Sequence, residues 1–170
     1  MSIQQVCLVI VLTPLVGSAI AGFFRNQIGR VGAHTVTILG VAISLACSIF
    51  LAWGLFSGSI PNTNSLVYHW ASGGALIPYE FNIGFLIDPL SVVMLVIVNF
   101  VSLLVHVYSI GYMADDDGYQ RFFSYISLFT FMMLMLVSAN NFLQLFFGWE
   151  GVGLVSYLLI GFWYQKESAI

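Results

Sequence analysis

A chain of 170 residues that is 60% apolar and only 6% charged, with a mean hydropathy of +1.00, is far from a soluble domain, where about a quarter of residues carry charge. It reads as an all-α integral membrane protein. The net charge of -3 is small and scattered, no basic cluster is present to contact phosphates, and nucleic acid is excluded as a partner.

The first apolar segment, Ile3 to Phe24, is uncharged and long enough for a bilayer of about 30 Å, and Pro14 marks a kink. The MSIQQ start lacks the positive region of a secretory signal, so this segment is expected to stay as a membrane helix. Arg25 and Arg30 close it. Segment two, Val31 to Phe56, is rich in small residues (Gly40, Ala42, Ser44, Ala46, Ser48) and should pack tightly against other helices. His34 near its start reads as interfacial. Cys7 and Cys47 lie inside apolar runs without metal-ligand spacing and read as small buried hydrophobes.

From Ser57 to Ile87 the pattern changes to short strand-like runs broken by Gly and Pro, an external loop in which Gly73-Gly74 suggests a β-hairpin. His69 and Glu80 read as solvated or interfacial side chains on that loop. Segment three opens at Asp88-Pro89, a good N-cap followed by Pro at the first helical position, and runs to about Met113. At 100° per residue Asp88, Ser91, Asn99, Ser102, His106 and Ser109 share an arc of about 80°. In a membrane helix such a stripe faces other helices or water, so Asn99, Ser102 and His106 are candidates to line a proton path. Interhelical hydrogen bonding explains Asn99 and the serines equally well.

Asp115 to Asp117 form a hydrated turn, because three consecutive acids cannot converge on one ion from a single face. Segment four, Phe122 to Ser138, is aromatic and Met-rich and reads as packing. Ala139-Asn140-Asn141 turns the chain tightly into segment five, making the two helices antiparallel neighbours. Basic residues fall on alternate connections: Arg25 and Arg30, then Arg121, then Lys166. By the positive-inside rule the amino terminus and the hairpin loop lie outside.

Segment five, Asn141 to Gln165, places Glu150 within an otherwise uncharged apolar run. An acid near the bilayer midplane costs on the order of 3 kcal/mol or more to insert and is by default a candidate on an ion or proton path. Gly153, Tyr157 and Gly161 fall on its side of the helix, where a neighbouring helix or water can approach closely. Arg25, Arg30, Arg121 and Lys166 all lie near segment ends, so Glu150 has no basic partner at its own depth. The plainer alternative is an acid that only ties two helices together.

Three runs, FNIGFLIDPLSVVMLVIVNFVSLLVHVYSIGYM, GYQRFFSYISLF and above all FFGWEGVGLVSYLLIGFW, resemble the subunit L family of the proton-pumping NADH:quinone oxidoreductase, respiratory complex I, known as chain 5 in mitochondria. The likeness covers Phe81 to Gln165, half of the chain. It implies an antiporter-like fold of inverted helix repeats, with residues 1–57 as helices one and two, 58–87 as the external loop and 88–170 as the start of the proton-translocating domain. It implies that Glu150 is the motif glutamate that works with a lysine on a later helix, and it places His106 on a position that is histidine in family members. It also implies that NADH, flavin, iron–sulfur clusters and quinone belong to partner subunits, with no cofactor in this chain. The partners implied are the other membrane subunits, the lipid bilayer and the remainder of the subunit fold. Family members continue for many more helices, so a fragment, a truncated frame or a subunit split over two chains is expected. A sodium/proton antiporter subunit and a non-pumping scaffold are the alternatives; Gly151 and Gly153 after Trp149-Glu150 favour complex I. The location expected is a bacterial cell membrane, or the mitochondrial inner membrane.

Overall fold

The computed structural model describes residues 2–72 and 80–164. Helices α1 (Ile3–Phe23) and α2 (Arg25–Phe56) are followed by strands β1 (Thr63–Ser72) and β2 (Glu80–Ile87). Helices α3 (Pro89–Tyr112), α4 (Tyr119–Val137) and α5 (Phe142–Ile160) complete the order. All five helices are long and apolar enough to cross a membrane, and their outward surface carries large apolar side chains such as Leu12, Phe50, Trp53, Val101 and Leu104. The chain is a multi-pass membrane protein.

The helix starts are set by local chemistry. Ser2 caps α1, accepting from the Gln5 N–H while the Gln5 side chain accepts from the Ser2 N–H. Asp88 caps α3 in the same reciprocal way: its Oδ1 accepts from the Ser91 N–H at 2.7 Å and Ser91 Oγ accepts from the Asp88 N–H at 3.0 Å. Helix α2 is broken at Gly29, whose φ of 63° an L side chain would resist. The straight span therefore begins at Arg30, one residue before the start read from sequence.

Helix α4 is the hub, packing on α1, α2, α3 and α5, whereas α5 packs on α4 and on β2. Pro14 explains much of the α1–α2 seam. Without an N–H it leaves the Ile10 carbonyl unbonded within α1, and the fully buried Ser44 of α2 supplies the missing donor at 2.6 Å. The close approach that this needs is allowed at Gly40, where a Cβ would sit 2.7 Å from the Thr13 carbonyl oxygen.

Residues 63–72 and 80–87 form an antiparallel pair, with Thr63 opposite Ile87 and Ser72 opposite Glu80. The hairpin expected in this loop is present; its proposed Gly73-Gly74 turn lies outside the described residues. The pair clamps one end of the bundle. Phe85 and Ile87 enter the core, the Leu86 N–H donates to the Ser138 carbonyl at 3.0 Å, and Asn141 Nδ2 donates to the Asn82 carbonyl at 2.9 Å. At the other end Arg25, Arg30, Arg121 and the turn 113–118 lie together.

Candidate proton-handling sites

The polar stripe of α3 faces inward. Asn99 and His106 are fully buried and Ser109 nearly so, while Ser102 is half-buried. Asn99 Nδ2 donates to Ser48 Oγ of α2 at 3.0 Å and to the Leu95 carbonyl at 2.9 Å. The Ser102 and Thr130 hydroxyls meet at 2.6 Å, joining α3 to α4. His106 Nδ1 lies 2.8 Å from the Ser102 carbonyl. A carbonyl only accepts, so this nitrogen carries the hydrogen and, in the neutral ring, Nε2 is the acceptor. Among the described residues Nε2 is buried with no hydrogen-bond partner, as is Asn99 Oδ1. Buried polar atoms are nearly always paired with protein or water. Two such atoms lie on this one stripe, Asn99 Oδ1 and His106 Nε2.

Segment four, read as packing, contributes more than that. Besides Thr130, its Ser127 donates to the Pro14 carbonyl at 2.8 Å, and Ser124 donates to the Ser18 carbonyl at 2.9 Å. Ser124, Ser127 and Thr130 recur at three-residue spacing, a signal that the aromatic and Met content of the segment hid. His34, read as interfacial, is half-buried, and its Nδ1 lies 2.9 Å from the Tyr119 hydroxyl.

Glu150 stands apart from this network. It adjoins Gly151, the middle residue of α5, and is exposed together with Gly153, Leu154, Tyr157 and Gly161. No hydrogen bond or ion pair reaches it from the described residues. The opposite face packs on α4 through two glycines: a Cβ on Gly148 would fall 2.8 Å from the Leu136 backbone, and one on Gly151 would fall 2.4 Å from Met132 Sδ. Gly153 has open space around it. With α4 between α3 and α5, Glu150 and His106 are on different faces of the bundle and are not brought together.

Among the described residues, five helices long and apolar enough to cross a membrane, a clamped hairpin, an inward polar stripe on α3 and a mid-helix acid turned out of the bundle define a multi-pass membrane protein. A family model described as NADH-ubiquinone oxidoreductase (complex I), chain 5 N-terminus, matches residues 70–123. A second, NADH:quinone oxidoreductase/Mrp antiporter, matches residues 139–170, which include Glu150. Subunit L of NADH-quinone oxidoreductase from Neisseria meningitidis serogroup A is 60% identical over 95% of this chain and 24% of its own length. The subunit L of Rickettsia conorii is 47% identical over 99% of this chain and 25% of its own. NADH-ubiquinone oxidoreductase chain 5 of Neurospora crassa is 46% identical over 94% of this chain and 22% of its own. The chain belongs to the subunit L and chain 5 family of NADH:quinone oxidoreductase, corresponds to its N-terminal part, and spans about a quarter of the length of these relatives.

Proposed function

We propose that the chain is part of a proton-translocating membrane subunit of NADH:quinone oxidoreductase, with Glu150 as a proton-carrying group and residues 88–170 as the start of the translocating domain. The observation that carries this is the placement of Glu150: mid-span, unpaired among the described residues, on a face of α5 that the other four helices leave open. An acid at this depth is costly and is kept where it moves charge. A lysine from the remainder of the subunit is the partner this face suits, and its approach and withdrawal would load and unload the proton.

His106 is a second group on the proton path, lined by Asn99 and Ser102. NADH oxidation and quinone reduction, with flavin and iron–sulfur clusters, take place in partner subunits, and the other membrane subunits of the complex are this chain's partners. The amino terminus and the hairpin lie outside and the arginine end inside, in a bacterial cell membrane, with the mitochondrial inner membrane as the alternative. The Mrp antiporter description of the second family model favours one competing reading, a sodium/proton antiporter subunit with no redox partner.

The test is the number of protons moved per NADH oxidised by the assembled complex in vesicles. Glu150→Gln keeps the size and hydrogen bonding of the side chain and removes its titration, so assembly should be normal and the ratio strongly reduced; Glu150→Asp should retain part of it. An unchanged ratio in a fully assembled Glu150→Gln complex would make the acid structural. Proton movement without any dependence on NADH would favour the antiporter.

A further inference from the structure

We propose that His34, Tyr119 and Phe123 form the entrance through which His106 exchanges a proton with the arginine end of the bundle, an inference that rests on the role given above to His106. The free atom of His106 decides the route. Its Nδ1 is held by the Ser102 carbonyl at 2.8 Å, and Ser102 Oγ is a further neighbour at 3.3 Å. Ser102 Oγ meets Thr130 Oγ1, which donates to the Ile126 carbonyl at 2.9 Å. That hydroxyl chain ends on a carbonyl, which has no proton to hand on. Exchange therefore goes through Nε2, which is buried and unpartnered.

One aromatic ring links His106 to the arginine end. The fully buried Phe123 lies 6.1 Å, centroid to centroid, from His106 and the same distance from His34. His34 Nδ1 is within hydrogen-bond distance of the Tyr119 hydroxyl, a group that both gives and takes protons. Arg30 encloses this corner, donating to the Ala114 carbonyl, facing Asp117 at 3.9 Å and lying over the Tyr119 ring at 5.7 Å.

The transfer balances with one water. Protonated His34 passes its Nδ1 hydrogen to the Tyr119 oxygen as Tyr119 releases its own to a water admitted when the Phe123 ring swings aside. That water then gives a proton to His106 Nε2 and is itself regenerated. Every electron pair stays on its heavy atom, and the net change is one proton moved from His34 to His106. With Phe123 in place the two imidazoles are separated by an apolar ring that carries no proton.

The experiment uses the assembled complex in vesicles and reads two quantities: protons moved per NADH oxidised, and the passive decay of an imposed pH gradient without NADH. Tyr119→Phe keeps the ring and loses the hydroxyl, so it should lower the ratio to the value given by His106→Phe. The double variant should fall no further, because both groups lie on one route. Phe123→Ala should speed the passive decay several-fold, and adding His106→Phe should abolish that increase. If Phe123→Ala prevents assembly, Phe123→Leu is read in the same way. A lowered ratio in His106→Phe with an unchanged one in Tyr119→Phe would overturn the entrance alone. An unchanged ratio in His106→Phe would overturn the role of His106 and the entrance with it.

Discussion

Replacing Ser44 by Ala isolates one hydrogen bond whose value can be worked from the structure. Pro14 denies the Ile10 carbonyl its intrahelical donor, and Ser44 Oγ, fully buried, replaces it at 2.6 Å. Ser44→Ala therefore leaves a buried carbonyl without a donor, which costs about 1–3 kcal/mol in protein interiors. Side-chain hydrogen bonds between membrane helices have been worth about 0.6 kcal/mol on average and about 1.7 at most. An orphaned acceptor puts this case at the upper end, about 1.5–2 kcal/mol. The control is Pro14→Ala, which restores an N–H four residues after Ile10 and so supplies the donor within α1. In that background Ser44→Ala should cost less than about 0.5 kcal/mol, the size of ordinary additivity errors. Equilibrium unfolding of the four variants in mixed micelles completes the cycle. If Ser44→Ala costs as much with Pro14→Ala as without it, the bond to Ile10 is not what Ser44 contributes, and the account of the α1–α2 seam fails.

Three further outcomes are expected. A cysteine at Asn64 should react with an impermeant reagent from outside the cell and one at Asp117 only from inside; labelling of both from one side would reject the five-span topology. Asp117 is the better probe than Gly118, because a Cβ on Gly118 would fall 2.6 Å from the Phe162 ring. Gly148→Ala should destabilise the α4–α5 pair by about 1–3 kcal/mol, the usual cost of overpacking, since the obstacle is Leu136 backbone; Gly151→Ala should cost less, because the Met132 thioether can move aside. Equal losses of assembled protein in the two variants would contradict this ranking. Asn99→Leu should lower the amount of assembled protein by removing the bond to Ser48, and normal amounts would show that the α2–α3 pair does not depend on it.

Much of the architecture was legible because membrane spans are long, uncharged and punctuated by recognisable ends. The Asp88-Pro89 cap, the Gly and Pro breaks around the hairpin and the inward turn of the α3 stripe all follow from one-dimensional patterns. What escaped was pairwise. Nothing in the spacing of Ser44 announces that it completes a carbonyl left open by Pro14, thirty residues earlier, because the partner is fixed only by how two helices cross. The serines of α4 were hidden for a different reason: a segment rich in Phe and Met looks like packing when residue types are counted, and the polar register appears only when Ser124, Ser127 and Thr130 are placed on successive turns of the helix. For Glu150 the sequence places the acid mid-helix, and the structure adds the direction of its side chain. The glycines that let α5 dock on α4 are Gly148 and Gly151, leaving Gly153 on the open side with the acid.

That direction bears on how the subunit can work. Were Glu150 turned toward α4, it would be packed against side chains already present there, such as Met132 and Leu136, and no later element could reach it. Turned outward beside Gly153, it is held in place by a rigid glycine-mediated seam and left available to whatever covers α5. The buried stripe is arranged in the opposite way: His106 is enclosed by α2, α3 and α4, so its surroundings are set within these residues and its free nitrogen is reached past Phe123. Because α4 separates the two groups, a change at the covering face reaches His106 through movement of α4 or not at all. The Gly148–Leu136 contact is the stiff point of that linkage. A variant that loosens it, Gly148→Ala, should weaken any dependence of His106 on Glu150, so that Glu150→Gln and His106→Phe lower proton movement independently there but interdependently in the unaltered protein. Equal interdependence in both backgrounds would show that the two faces are coupled by some other route.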